Sequence, residues 1–173
     1  MKNLQSTLVD SHAHLDAKPY QTDLDDVLTR ARKHGVEHIL TVGCDLESSR
    51  ASVDLAIRYP HGYASVGIHP HDASIVNDQI MAELERMIES VDKVVAVGET
   101  GLDFYRDRSP RDQQKAAFRR HIQLAKDSGK PQIIHDRDAH DDVERIMREE
   151  KACEAGGVLH CVSGDLKMAR QCV

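Results

Sequence analysis

The chain has 173 residues, 40% of them hydrophobic and 30% charged, and a formal net charge of −6. That size and balance predict one globular unit over residues 1–173 with a substantial core. The negative charge argues against a broad electrostatic footprint for duplex DNA, but it leaves room for a pocket that takes in a nucleic-acid end with bound cations supplying the positive charge.

No apolar run approaches the roughly 18–20 residues that span a bilayer, so no membrane partner is expected. Residues 1–7 lack the apolar stretch of a secretory signal. Cysteines occur at 44, 153, 161 and 172 with no C-x-x-C pair. Neither a finger-type zinc nor a redox motif is therefore expected, and reduced thiols fit a cytoplasmic location.

Along the chain, short runs rich in Val and Ile alternate with helical patterns. The first predicted strand, 8–15, ends in His12-Ala13-His14. A helix over 23–34 puts Leu24, Val27, Leu28 and Ala31 on one face and stops at Gly35. A strand at 38–44 leads into a helix at 46–58. The third strand, 63–69, runs into His69-Pro70-His71. The next helix carries the stripe Ile80, Leu84, Met87, Ile88 and Val91, with Ser74 as its candidate cap. The fourth strand, 94–99, ends on Glu99. Ser109 and Pro110 read as N-cap and first residue of a helix running through Phe118, Ile122 and Ala125 to Gly129. A strand at 132–135 ends on His135, a helix covers about 141–151, and a strand at 158–161 carries His160. The chain closes in what reads as a further helix, 166–173.

Strand–helix alternation predicts a parallel sheet, because a parallel crossover needs a helix. An open doubly wound sheet and a (β/α) barrel both fit. No G-x-G-x-x-G or G-x-x-x-x-G-K-[ST] is present, which weakens nucleotide-binding versions. Ligand-type residues at the C-terminal ends of nearly all strands favour a TIM-type (β/α) barrel, whose sites lie there.

His12 and His14 share one face of an extended strand, the arrangement of a metal-binding pair. A carboxylate such as Glu99 at the end of an apolar strand is costly to bury unless it binds cations, and its two oxygens can bridge two of them. Asp103 reads as a ligand, a base or a loop-structuring acceptor. His135 suits zinc and similar divalents. Arg137, two residues on, can grip a phosphate oxygen or pair with Asp136 or Asp138. His69 and His71 are equally readable as site residues or plain surface groups. Cys161 reads as packing. His34, His38, His61, His121 and His140 are expected to be solvated or packed. The set as a whole points to hydrolysis by a water activated between two divalent metals. No G-x-S-x-G elbow supports a serine nucleophile.

At five places the chain resembles the TatD family of metal-dependent deoxyribonucleases, within the amidohydrolase-like barrels. They are Val9-Asp10-Ser11-His12-Ala13-His14-Leu15-Asp16, Gly67-Ile68-His69-Pro70-His71, Gly98-Glu99-Thr100-Gly101-Leu102-Asp103, Ile134-His135-Asp136-Arg137-Asp138-Ala139 and His160-Cys161-Val162-Ser163-Gly164. The resemblance implies that His12 and His14 hold one divalent metal, that His135 and His160 hold the second, and that Glu99 bridges them as the catalytic carboxylate. It places His71, Asp103 and Arg137 near the substrate phosphate or its loop. It implies two metal ions (zinc, magnesium or manganese) and an exonuclease-like enzyme whose partner is DNA, at ends or in single strands. Gln132 and Val162 depart from the family's usual aliphatic and aromatic residues.

The resemblance also implies an eight-stranded barrel with a late Asp that completes the first metal site. Only about six of the eight βα units can be read here. Open sheet edges of that kind predict self-association. The alternatives at this stage are a catalytically impaired metal-binding remnant and a hydrolase of an ester or amide, such as an aminoacyl-tRNA bond.

Overall fold

The computed structural model describes residues 7–171. Six strands form one parallel sheet in sequential order: β1 (Leu8–Ala13), β2 (Val36–Val42), β3 (Gly62–Val66), β4 (Val94–Asp103), β5 (Gln132–Arg137) and β6 (Gly157–Leu159). The helices are α1 (Leu24–Lys33), α2 (Leu46–Arg58), α3 (Asp78–Ser90), α4 (Arg111–Ser128), α5 (His140–Glu149) and α6 (Leu166–Gln171), one after each strand. The sheet curls into a partial barrel of the TIM type, as expected. Its two edge strands, β1 and β6, each have one strand neighbour among the described residues. Cys172 and Val173, at the end of the last predicted helix, lie outside the described residues. Among those residues no helix is long and apolar enough to cross a membrane.

The layers follow from the strand period. Val42 meets Ala96 and Ile133 although β3 separates β2 from β4, so these residues fill the concave face of the curled sheet, with Leu40 against them. On the convex face, Ala64, Val66, Val94 and Val97 pack against Val53, Leu84, Ile88 and Leu124 of the helices. A second outer cluster joins Leu102 and Ile134 to Phe118, Ile122, Val143 and Ile146. These strands are buried on both sides, which is why they read as apolar runs and not as alternation.

Local chemistry sets the helix ends. Asp45 and Ser48 make a reciprocal capping box at the start of α2. Gly129 ends α4 at φ 62°. Two expected caps are wrong. Asn77, not Ser74, caps α3 by accepting the Ile80 N–H at 2.9 Å, because Ser74 lies inside a 3-10 turn at Pro70–Ile75. Pro110, not Ser109, is the N-cap of α4. Ser109 is buried instead, where its hydroxyl accepts the Ser74 N–H and donates to the His71 carbonyl. It ties the His71 turn to the start of α4.

Strand β4 continues past Glu99 to Asp103, with a register shift against β5 between Val97 and Thr100. Two glycines permit this. A Cβ on Gly98 would lie 2.5 Å from the Ile133 carbonyl, and one on Gly101 would lie 2.0 Å from the His135 carbonyl. Both have φ values, +143° and +136°, that side chains rarely adopt. Gly101→Ala is therefore expected to destabilise the fold by at least about 1–3 kcal/mol and to push β5 away from β4. An unchanged urea midpoint would contradict this account of the β4–β5 contact.

Candidate metal centre

Five histidines and one thiol converge on the Glu99 carboxylate, which is almost fully buried. Strand β1 brings His12 Nε2 to 3.5 Å and His14 Nε2 to 3.8 Å from Oε2. Cys44, just beyond β2, places Sγ 3.6 Å from the same oxygen. Oε1 faces the other way, with His135 Nδ1 at 3.0 Å, His160 Nε2 at 2.8 Å and His69 Nε2 at 3.7 Å. His160 is set by its backbone N–H, which donates to the Ile134 carbonyl, and its ring stacks on His12 at 3.9 Å. The two carboxylate oxygens thus address two separate groups. Two trios, His12–His14–Glu99 and His69–Glu99–His135, each bring ligand atoms within 4.8 Å of one another.

Burial alone would raise the Glu99 pKa, but the surrounding histidines, His12, His135 and His160 foremost, outweigh it and hold the carboxyl well below the usual range. Glu99 is an anion in a buried place. Hydrogen-bond directions then show what it faces. The Val42 carbonyl can only accept, so His14 Nδ1, 3.0 Å away, carries the proton and Nε2 turns a lone pair toward Oε2. His135 stands between two carboxylates, Nε2 3.1 Å from Asp103 Oδ2 and Nδ1 3.0 Å from Glu99 Oε1, so a neutral ring can donate to only one of them. At His14, and at one of the two His135 contacts, acceptor faces acceptor unless a proton or a cation lies between them. Both ring nitrogens of His12 are buried and lack a hydrogen-bond partner. A donor set of imidazoles around one carboxylate, with orphaned nitrogens and opposed lone pairs, fits divalent cations.

His69 differs from these. Its Nδ1 accepts the His71 N–H at 3.1 Å, so in the neutral ring the proton sits on Nε2 and points at Glu99. Burial pushes its pKa down to about 3 against the pull of Glu99, which keeps it neutral. His69, which the sequence left undecided between site and surface, is thus placed beside Glu99 with its Nε2–H toward the carboxylate. Asp103 is occupied by His71 Nε2 at 2.8 Å, by His135 and by the Arg106 N–H at 2.7 Å. It orients two rings. Burial would raise its pKa, but those donors lower it. Between the two carboxylates, the His135 pKa rises despite burial.

Arg137 pairs with neither Asp136 nor Asp138. Asp136 binds His140 Nδ1 at 2.7 Å, and the Arg137 guanidinium lies over the Tyr105 ring at 4.9 Å. Cys161 is exposed at φ 52°, not packed, because β6 ends at Leu159. Three contributors escaped the sequence reading. Cys44 carried no motif. Gln114 is fully buried on α4, where Oε1 accepts the Asp103 N–H at 2.9 Å and Nε2 donates to the Ser109 carbonyl at 2.8 Å. His121, also fully buried, donates from Nδ1 to Ala117 and accepts the Ile68 N–H at Nε2, 3.1 Å away. Their signal was present: both lie on the apolar stripe of Phe118, Ile122 and Ala125, where a polar side chain needs a specific partner.

A profile of the family described as TatD related DNase matches residues 9–173. The chain is 43% identical over 166 residues to the uncharacterized metal-dependent hydrolase YabD of Bacillus subtilis, covering 96% of this chain and 65% of that protein. It is 36% identical over 166 residues to a Cronobacter turicensis protein named 3'-5' ssDNA/RNA exonuclease TatD, covering 96% and 63%. The solved structure of YJJV, a TatD homolog from Escherichia coli K12, superposes with a TM-score of 0.88 at 32% identity, covering 95% of this chain and 63% of that one. A TatD family hydrolase of Entamoeba histolytica gives a TM-score of 0.86 at 26% identity, covering 95% and 61%. The chain therefore spans 61–65% of the length of these four proteins.

Two predictions follow from the buried groups. Burial lowers the His121 pKa from 6.5 to about 4, so the unfolded chain binds the proton first and stability falls as pH drops from 6.5 toward 4. The loss is at most about 3 kcal/mol. Denaturation midpoints of His121→Gln should fall less steeply over that window than those of the unaltered chain, and parallel curves would contradict the assignment. Burial and the neighbouring Glu99 push the Cys44 thiol far up. In metal-free native protein at pH 8, iodoacetamide should modify exposed Cys153 and Cys161 well before Cys44, as mass mapping would show.

Proposed function

The chain belongs to the TatD-related DNase family of metal-dependent hydrolases, and from that premise we propose that it cleaves phosphodiester bonds of DNA at ends or in single strands. The observation that carries this reading is the division of Glu99 between two imidazole groups, with the His14 lone pair opposed to Oε2 and with His135 shared between Oε1 and Asp103. His12 and His14 would hold one divalent cation beside Glu99, and His135 and His160 would hold a second. An imidazole-rich set favours zinc over magnesium and manganese, which prefer oxygen ligands. Bound there, two cations supply Lewis-acid charge for the phosphate and lower the pKa of an attacking water.

The remaining work falls to the chain. Glu99 stays ionised and keeps both groups aligned. The His69 N–H offers a neutral donor to a phosphate oxygen without adding a competing charge. Asp103 binds no anion itself. It orients the His135 ring with Nδ1 toward Glu99, and it keeps His71 beside that ring. Asp103, expected near the phosphate or its loop, would act through the loop and these two rings, since a carboxylate next to a phosphate is repulsive. Arg137, at the end of β5, provides the cation at the mouth.

The 3'-5' ssDNA/RNA exonuclease named in Cronobacter turicensis supports a nucleic-acid substrate here. Calorimetric titration of metal-free protein with Zn²⁺ or Mn²⁺ should give two equivalents per chain. Glu99→Gln should weaken binding and cleavage of labelled oligonucleotides by at least about 100-fold, since even supporting groups around a metal are worth 10–100-fold. Undiminished cleavage by Glu99→Gln, or no cleavage by the unaltered chain with any of Mg²⁺, Mn²⁺ or Zn²⁺, would refute the reading.

A further inference from the structure

The chain has two Phe, four Tyr and no Trp, and one of those few aromatics is left out in solvent beside the pocket. Tyr105 is 62% exposed, two residues beyond Asp103. Its neighbour Phe104 is half-buried and covered by the Arg111 guanidinium at 4.3 Å. Tyr105 is covered on one side only, by Arg137. The two are held together by backbone. Arg137 and Asp103 are partners in the β4–β5 register, and the Phe104 N–H donates to the Arg137 carbonyl at 2.9 Å. The stack therefore stands one step beyond His135, at the rim of the candidate centre.

The charge around it is out of keeping with the rest of the molecule. Arg106 and Arg108 are exposed in the same loop. Among the described residues neither of them, nor Arg137, has a carboxylate partner, while helix arginines such as Arg119, Arg145 and Arg148 are paired. Asp107, the acid between them, is taken by Arg111. In a chain of net charge −6, three guanidinium groups without a carboxylate partner among the described residues thus gather beside one open aromatic face.

We propose that Tyr105, backed by Arg137, is a stacking platform for the unpaired nucleobase beside the scissile phosphate, with Arg106 and Arg108 tracking the backbone of the same strand. This rests on the nuclease reading and goes beyond it by naming the residue that selects single strands and frayed ends. Aromatic stacking tolerates any base because every base has a π face. A blunt duplex keeps its bases paired and stacked, so it must open before it can use the ring. An acidic peptide would use the guanidinium groups but not the open ring, and the variants below separate the two.

Binding of a short 5′-fluorescein-labelled oligothymidylate to metal-free protein, followed by anisotropy, tests the platform without turnover. Tyr105→Ala should weaken binding about 10-fold, and Tyr105→Phe, which keeps the ring, should restore it. In a chain without other tryptophans, Tyr105→Trp should lose indole fluorescence on adding the same single strand and not on adding a blunt duplex. With the preferred metal present, Tyr105→Ala should raise KM for single strands and leave kcat nearly unchanged. The platform is overturned if Tyr105→Ala binds as tightly as the unaltered chain, or if Tyr105→Phe fails to recover the loss. If the platform holds in the binding assays while no metal supports cleavage, it is the nuclease reading that fails. Cleavage of single strands with a KM indifferent to Tyr105 leaves the nuclease reading and removes the platform.

Discussion

The structure turns on one buried anion. Removing a carboxylate from water is expensive, and an unpaired one would neutralise or unfold its surroundings. Glu99 stays ionised because side chains from β1, β5, β6 and the loops after β2 and β3 all point at it. That convergence is possible only where the C-terminal ends of a curled parallel sheet come together, so fold and centre impose each other. The curl provides the meeting point, and the charge at the meeting point is bearable only if every strand delivers its residue.

Helix α4 is the scaffold that keeps those deliveries in place. From one buried stripe it sends Gln114 to Asp103 and His121 to Ile68, and its approach is tied by Ser109 to the turn bearing His71. These are uncharged contacts that cost little to bury once satisfied. They set the loops on which His69, His71 and Asp103 sit. Backbone partners then decide what each imidazole can do. A carbonyl on His14 Nδ1 makes Nε2 an acceptor, whereas an amide N–H on His69 Nδ1 makes Nε2 a donor. Chemically identical side chains around one carboxylate are thereby divided between ligand-type and donor-type roles.

Strand alternation, the barrel class and the five strand-end residues proposed as ligands were legible in the chain because each depends on short-range pattern: apolar runs, the helix period, and a polar residue where a run stops. His12, His14, Glu99, His135 and His160 are gathered at one point as that pattern predicts. The misplaced caps, Ser74 and Ser109, show the limit of local reasoning. Each serine has the right chemistry for a cap, yet the hydroxyl of Ser109 is spent joining two loops that are distant in sequence. Arg137 escaped its acidic neighbours for a similar reason: Asp136 faces His140, and the ring of Tyr105 lies across the adjacent strand.

By itself, then, the amino-acid order determined the strand–helix sequence, the residue types that end each strand and the family to which the chain belongs. Only the tertiary structure decided that Cys44 and His69 join the centre, that Gln114 and His121 hold it, and which nitrogen of each ring faces the carboxylate. The outcomes at His14 and His121 depend on hydrogen-bond partners dozens of residues away, and no local pattern encodes a partner that the fold alone brings to 3.0 or 3.1 Å.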